Sequence, residues 1–175
     1  MKKRAFQSVA IVAIASAALA GCGSNTTDRA KASVKASLLS AVKDGTLPVR
    51  YDDAGAGCVA GRIVDGIGYD KLKSYGFDKA NTNFNDIKMS ATDATTLAES
   101  LIDCAPNNGV VAYFQSELDK GMGAAATPKL KACANALITH DLSVKVLADT
   151  YEGKKDAATA QFQQALVPAA RNCPR

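Results

Sequence analysis

An all-α fold of about seven or eight short helices is the class this 175-residue chain predicts. Three observations lead there. Apolar residues recur every three to four positions in one stretch after another, the spacing of a single helix face. Alanine is abundant and alternating β-branched runs are scarce, which favours helix over strand. Glycine, proline and short polar residues stand where helices would start and stop.

Val34, Leu38 and Val42 define the first face, closed by Gly45 with Pro48 beyond it. Cys58, Val59, Ile63 and Ile67 define the second. Gly66 and Gly68 then loosen the chain, and Asp70 is placed to cap a short helix carrying Leu72 and Tyr75, which Gly76 stops. "DKANTNFNDIKMS", residues 78–90, is polar and asparagine-rich and reads as a loop. Ser90 with Asp93 has the form of a capping box, and Leu97, Leu101 and Cys104 follow on one face. Pro106, Asn107, Asn108 and Gly109 interrupt the chain. Val110, Phe114 and Leu118 then form another stripe, closed by Gly121. Thr127 before Pro128 supplies an N-cap and a first-turn proline for a helix burying Leu130, Cys133, Leu137 and Ile138. Asp141 is placed to cap a short helix with Val144, Leu147 and Tyr151, ended by Gly153. A last helix from about Asp156 turns Phe162, Leu166 and Ala169 inward, with Pro168 expected to kink or shorten it.

The amino terminus has a different character. Lys2, Lys3 and Arg4 precede an apolar run from about Val9 to Leu19, broken only by Ser16, and small residues follow. Charged, apolar and small in that order is the layout of a secretory leader. The run is shorter than the roughly 20 residues that span a bilayer. Residues 1–21 therefore read as a cleavable signal peptide. Leu19, Ala20, Gly21 and Cys22 resemble, residue by residue, the lipobox of bacterial lipoproteins. That resemblance implies that the Cys22 thiol receives a diacylglyceryl group and that the leader is cut before it. It further implies an often acylated (palmitate-type) amino terminus and an exported protein held by lipid on the cell membrane, facing away from the cytoplasm. Two or three acyl chains anchor stably where one is marginal. Residues 22–32, Cys22 and "GSNTTDRAKA", read as the lipidated cysteine and a short tether, and 33–175 as the helical domain.

Three of the 21 basic residues lie in the leader, leaving 18 against 17 acidic. A chain so nearly neutral does not call for nucleic acid as a partner, and no basic stripe interleaved with aromatics occurs.

With Cys22 assigned to lipid, Cys58, Cys104, Cys133 and Cys173 remain. An even number in an exported chain argues for two disulfides. Four cysteines allow three pairings, and spacing does not choose among them. An internal similarity bears on the choice. "CVAGRIVDGIGYDKL" from Cys58 overlies "CANALITHDLSVKVL" from Cys133 without a gap, placing Ile63 on Ile138, Ile67 on Leu142 and Leu72 on Leu147. The pattern reads as a two-fold repeat, 33–104 and 105–173, with chance similarity as the alternative. Equivalent halves would each close their own bridge, Cys58–Cys104 and Cys133–Cys173. Zinc is a poor fit: there is no C-x-x-C, and His140 has no second histidine.

Structural roles account for the residues that catalytic motifs would use. "AGAG" (54–57) and "DGIG" (65–68) lack the strand and lysine of a phosphate loop. Acidic residues near glycines fall short of an EF-hand. His140, the Asp52/Asp53 pair and the Asp65/Asp70 pair are explained by helix ends, capping and solubility. No G-x-S-x-G or S-x-x-K motif occurs. The sequence thus names no catalytic residue, no metal site and no cofactor. The Gly66, Gly68, Tyr69 and Phe77 region is the candidate ligand groove, because its glycines let a backbone approach a ligand.

"CVAGRIVDGIGYDKLKSYGF" resembles stretches of small, alanine-rich, exported helical proteins of high-GC Gram-positive bacteria. The resemblance implies a fold and an address, and no activity. The expected function is a membrane-anchored, non-catalytic module that binds a protein, an envelope component or a small ligand. The alternatives are an envelope inhibitor or exclusion factor, and an envelope hydrolase.

Overall fold

A computed structural model of the protein describes residues 26–47, 49–79 and 82–173. The leader, Cys22, residues 23–25 of the expected tether and Pro48 lie outside them. Among the described residues are eight α-helices and no strand: α1 (Thr26–Lys43), α2 (Asp53–Ile67), α3 (Tyr69–Ser74), α4 (Ala91–Asp103), α5 (Gly109–Met122), α6 (Pro128–Asn135), α7 (His140–Tyr151) and α8 (Lys155–Asn172). A 3₁₀ turn, Pro106–Asn108, precedes α5. Its Asn107 and Asn108 are both left-handed, a conformation asparagine tolerates better than most residues.

The core lies where α1, α2, α4 and α7 meet. Val34 and Leu38 of α1 and Val59 and Ile63 of α2 are fully buried. Lys31 reaches Asp65 at 2.8 Å, which makes α1 and α2 antiparallel. The pair α4 and α7 is antiparallel too: Asp103 meets His140 at one end, and near the other the Met89 N–H donates to the Tyr151 carbonyl at 2.8 Å. The described parts of the loop, 75–79 and 82–90, are not merely polar surface. They sink Phe77 and Phe84 into the core, edge to face at 5.2 Å, and Phe84 in turn abuts Tyr151. The Tyr51 hydroxyl donates to the Leu101 carbonyl at 2.5 Å. Burial, with Tyr151 adding to it, raises the pKa of that phenol.

The helices α5, α6 and α8 form a thinner layer outside this core. Among described side chains, α5 buries only Val110, α6 only Ala134 and α8 only Ala158. Both expected bridges are present, Cys58–Cys104 and Cys133–Cys173, with 5.7 Å between Cα atoms in each. The first fastens α2 to the end of α4 and the second fastens α6 to the end of α8. Two disulfides mark a domain that folds in an oxidising compartment outside the cytoplasm. Among the described residues no helix is long and apolar enough to cross a membrane.

The structure departs from the expected elements in identifiable ways. Helix α1 starts at Thr26, so most of the predicted tether is helical. Ala30 is 2% exposed and begins the stripe that Val34, Leu38 and Ala41 continue, an apolar start hidden in a polar stretch. Asp70 does not cap α3; the N-cap is Gly68, whose φ of +90° suits glycine, and Asp70 pairs with Lys73 instead. Asp141 does not cap α7; the Thr139 Oγ1 accepts the Leu142 N–H at 3.2 Å two residues earlier. Gly121 lies inside α5, which closes at Gly123. Pro168 lies inside α8, which continues past it to Asn172.

The helix boundaries do not recur between the halves. Helix α2 runs unbroken through the stretch that overlies α6, the break after it and the start of α7. Matched positions nevertheless share burial: Ile63 with Ile138, and Leu72 with Leu147.

Candidate functional site

The predicted groove is only partly assembled. Gly66, Gly68 and Tyr69 sit together where α2 turns into α3. Phe77 does not join them: it is 0% exposed and packs on Phe84. The physical reason is a pair of hydrogen bonds across the chain. The buried Ser37 hydroxyl on α1 reaches the carbonyls of Phe77 (2.7 Å) and Lys79 (3.0 Å) and draws the segment inward. Gly66 also serves packing rather than ligand approach, since a Cβ there would stand 3.0 Å from the Thr96 Cγ2 on α4. Tyr69 lines an open hollow of about 420 Å³ together with Thr26, Thr27 and Val64. The Lys73 ammonium stands 5.1 Å from the centre of its ring, a cation–π contact.

The carboxylates that the sequence offers for acid–base work each hold structure together. Asp52 caps α2 by accepting the Gly55 N–H at 2.7 Å. Asp53 pairs with Lys35 and Asp65 with Lys31. Asp93 is buried, yet three donors converge on its Oδ2: the Lys71 ammonium (2.6 Å), the Ser90 hydroxyl (2.7 Å) and the Tyr75 hydroxyl (2.8 Å). Burial pushes its pKa up, but the donors outweigh burial and hold it below the usual value. Only one arm of the expected box forms: the Ser90 Oγ accepts the Asp93 N–H, while the Ser90 N–H donates to the Tyr75 hydroxyl instead of the Asp93 carboxylate.

Sequence reasoning missed an apolar hollow. Helices α5, α7 and α8 leave a space of about 390 Å³ lined chiefly by Tyr113, Phe114, Val146, Ala158 and Phe162. The Phe114 and Phe162 rings are 5.9 Å apart, and Tyr113 stacks at an angle on Phe114 at 5.8 Å. Tyr113 remains 37% exposed, so the cluster opens to solvent. Of the stripe Val110, Phe114 and Leu118, it is Phe114 that lines this hollow, while Val110 is buried in the main core. What could have revealed the hollow is the aromatic Tyr113 one position off that stripe, together with a lone Phe162 in an alanine- and glutamine-rich helix.

One further cluster joins distant segments. The carboxylate of Asp103 is shared between Arg62 of α2 and His140 of α7. All three side chains are at least one-third exposed. No protein-family model, no curated protein and no solved structure matches this chain.

Proposed function

We propose that the protein is a lipid-anchored module of the cell envelope that binds rather than catalyses, with Cys22 carrying the anchor. Its address is supported by the lipobox at Leu19–Cys22 behind a charged and apolar leader, and by a domain closed with two disulfides. The binding role is carried by one observation, the solvent-open aromatic cluster of Tyr113, Phe114 and Phe162 on a layer with little core of its own. Part-exposed aromatics in a concave setting offer a large apolar contact to a partner or small ligand. The candidate acid–base carboxylates support the same reading, because each is engaged in a cap or an ion pair.

Two measurements test the reading. Mass spectrometry of the membrane fraction should find the Cys22 peptide with its acyl chains, and Cys22→Ser should release the domain folded. An unmodified Cys22 in a soluble product from the native host overturns the anchor. The apolar probe anilinonaphthalene sulfonate should brighten on the native domain and lose most of that signal in Phe162→Ser. An unchanged signal in Phe162→Ser overturns the binding face.

A further inference from the structure

We infer that the domain stands on the membrane by one defined pole, the first turn of α1 with the α2–α3 turn, and that this pole rests in the phospholipid headgroup layer. The inference rests on Cys22 being the lipid anchor. Only three residues separate Cys22 from Thr26, where α1 begins. Four Cα steps reach about 14 Å at full extension. A domain of about 150 residues is about 38 Å across, given a radius of gyration near 15 Å. The reach is less than half the diameter, so the anchor can serve only the pole where Thr26 lies.

From Ala30 onward α1 is held against the domain and does not peel away to lengthen the tether. Ala30, Val34, Leu38 and Ala41 are all buried, and Lys31 is clamped to Asp65 at the end of α2. Helix α1 therefore projects its 18 residues, about 27 Å, away from the anchored end.

The pole has the chemistry that the headgroup layer accepts. Tyr69 is half-buried and faces the hollow shared with Thr26 and Thr27, and Lys73 stands over its ring. An amphipathic aromatic beside a lysine is the pairing found at membrane–water boundaries. The surrounding charges nearly cancel. Lys31 pairs with Asp65, Lys73 with Asp70 and Lys71 with Asp93. The acyl chains, not attraction to anionic lipid, then supply the affinity, and the pole is seated by proximity.

The chain contains no tryptophan, which makes the test clean. Single substitutions Tyr69→Trp, Thr27→Trp, Lys43→Trp and Tyr113→Trp are made in the full lipidated protein. Each is reconstituted into phosphatidylcholine vesicles whose acyl chains carry bromine, and the fluorescence is compared with unbrominated vesicles. Tryptophan at 69 and at 27 should be quenched at least two-fold more than at 43. Two positions guard against one variant folding poorly. Equal quenching at 27, 69 and 43 in protein with an acylated Cys22 overturns the orientation and leaves the anchor standing. Stronger quenching at 113 overturns it as well and assigns the membrane to the aromatic hollow. An unacylated Cys22 by mass overturns the anchor and the orientation together.

Discussion

The His140 Nε2 lies 2.9 Å from the Asp103 Oδ1, joining the first residue of α7 to the last residue of α4. With Arg62 on the other oxygen, three helices converge on one carboxylate next to Cys104. The His140 pKa is raised, first by the hydrogen bond with Asp103 and then by Asp141. The Asp103 pKa is lowered, first by His140 and then by Arg62.

These directions set a pH window. A raised histidine contributes stability that is fully present below its unfolded value of 6.5 and is lost as pH rises through the folded value. A lowered aspartate contributes stability present above its unfolded value of 3.8 and lost as pH falls through the folded value. The pair therefore stabilises most between those two unfolded values. Both groups are well solvated, so the contribution is at most about 1 kcal/mol and shrinks in salt. Urea midpoints at pH 5.5 and pH 8 should show it, and His140→Ala should remove that part of the difference. An unchanged difference in the variant assigns the pH dependence to other groups.

The two disulfides should not be interchangeable. Each closes a loop of forty-odd residues, 46 and 40 in separation, worth about 4 kcal/mol in the chain-entropy estimate. Cys58–Cys104 ties core helices, so Cys58→Ser with Cys104→Ser should lower global stability. Cys133–Cys173 ties helices that bury little, so Cys133→Ser with Cys173→Ser should open α6 and α8 locally. Amide exchange should then quicken in α6 and α8 while α1, α2 and α4 stay protected. Uniform loss of protection in that double variant would show that the outer layer is part of the core's cooperative unit.

Two glycines of α2 should answer alanine in opposite directions. At Gly61 nothing lies within 4 Å of an added Cβ, so Gly61→Ala should stabilise by about 0.5–1 kcal/mol through helix propensity. At Gly55 the Cβ would stand 3.0 Å from the Cys104 carbonyl oxygen and 3.2 Å from the capping Asp52 Oδ1. Gly55→Ala should destabilise by about 1–3 kcal/mol through overpacking. Thermal midpoints of the two variants moving the same way would refute the close approach.

Phe77 and Tyr69, read alike in the sequence, should separate sharply. Phe77→Ala should cost about 3–5 kcal/mol, the range for a buried aromatic. Tyr69→Ala, at a half-buried position on an open hollow, should cost clearly less. Denaturant unfolding decides this, and equal costs would return Phe77 to the surface.

Much of the architecture was legible because it is local. The stripes of Val34 and Leu38, of Leu97 and Leu101, and the Thr127–Pro128 start depend on spacings of one to four residues. The bridges were legible through the matched halves, although the helix boundaries of those halves differ. What stayed hidden depends on residues far apart in the chain. Ser37 pulls Phe77 inward across 40 positions, and Tyr51 anchors to Leu101 across 50. The Asp103–His140 pair and the meeting of Phe114 with Phe162 are equally remote. At Thr139 the error was one of competition, since a threonine and an aspartate two residues apart could each have capped the helix.

The connectivity of the bridges has a consequence for biogenesis. Cys58 pairs with the next bridged cysteine along the chain, Cys104, and Cys133 with the next after that, Cys173. Neither loop encloses or crosses the other. A chain threading out of the cell amino terminus first would present Cys58 and Cys104 to an oxidant before Cys133 emerged. The first pair available is then the native pair, and the second follows by the same rule. An oxidase that joins thiols in order of arrival would complete this protein without any isomerase to reshuffle it.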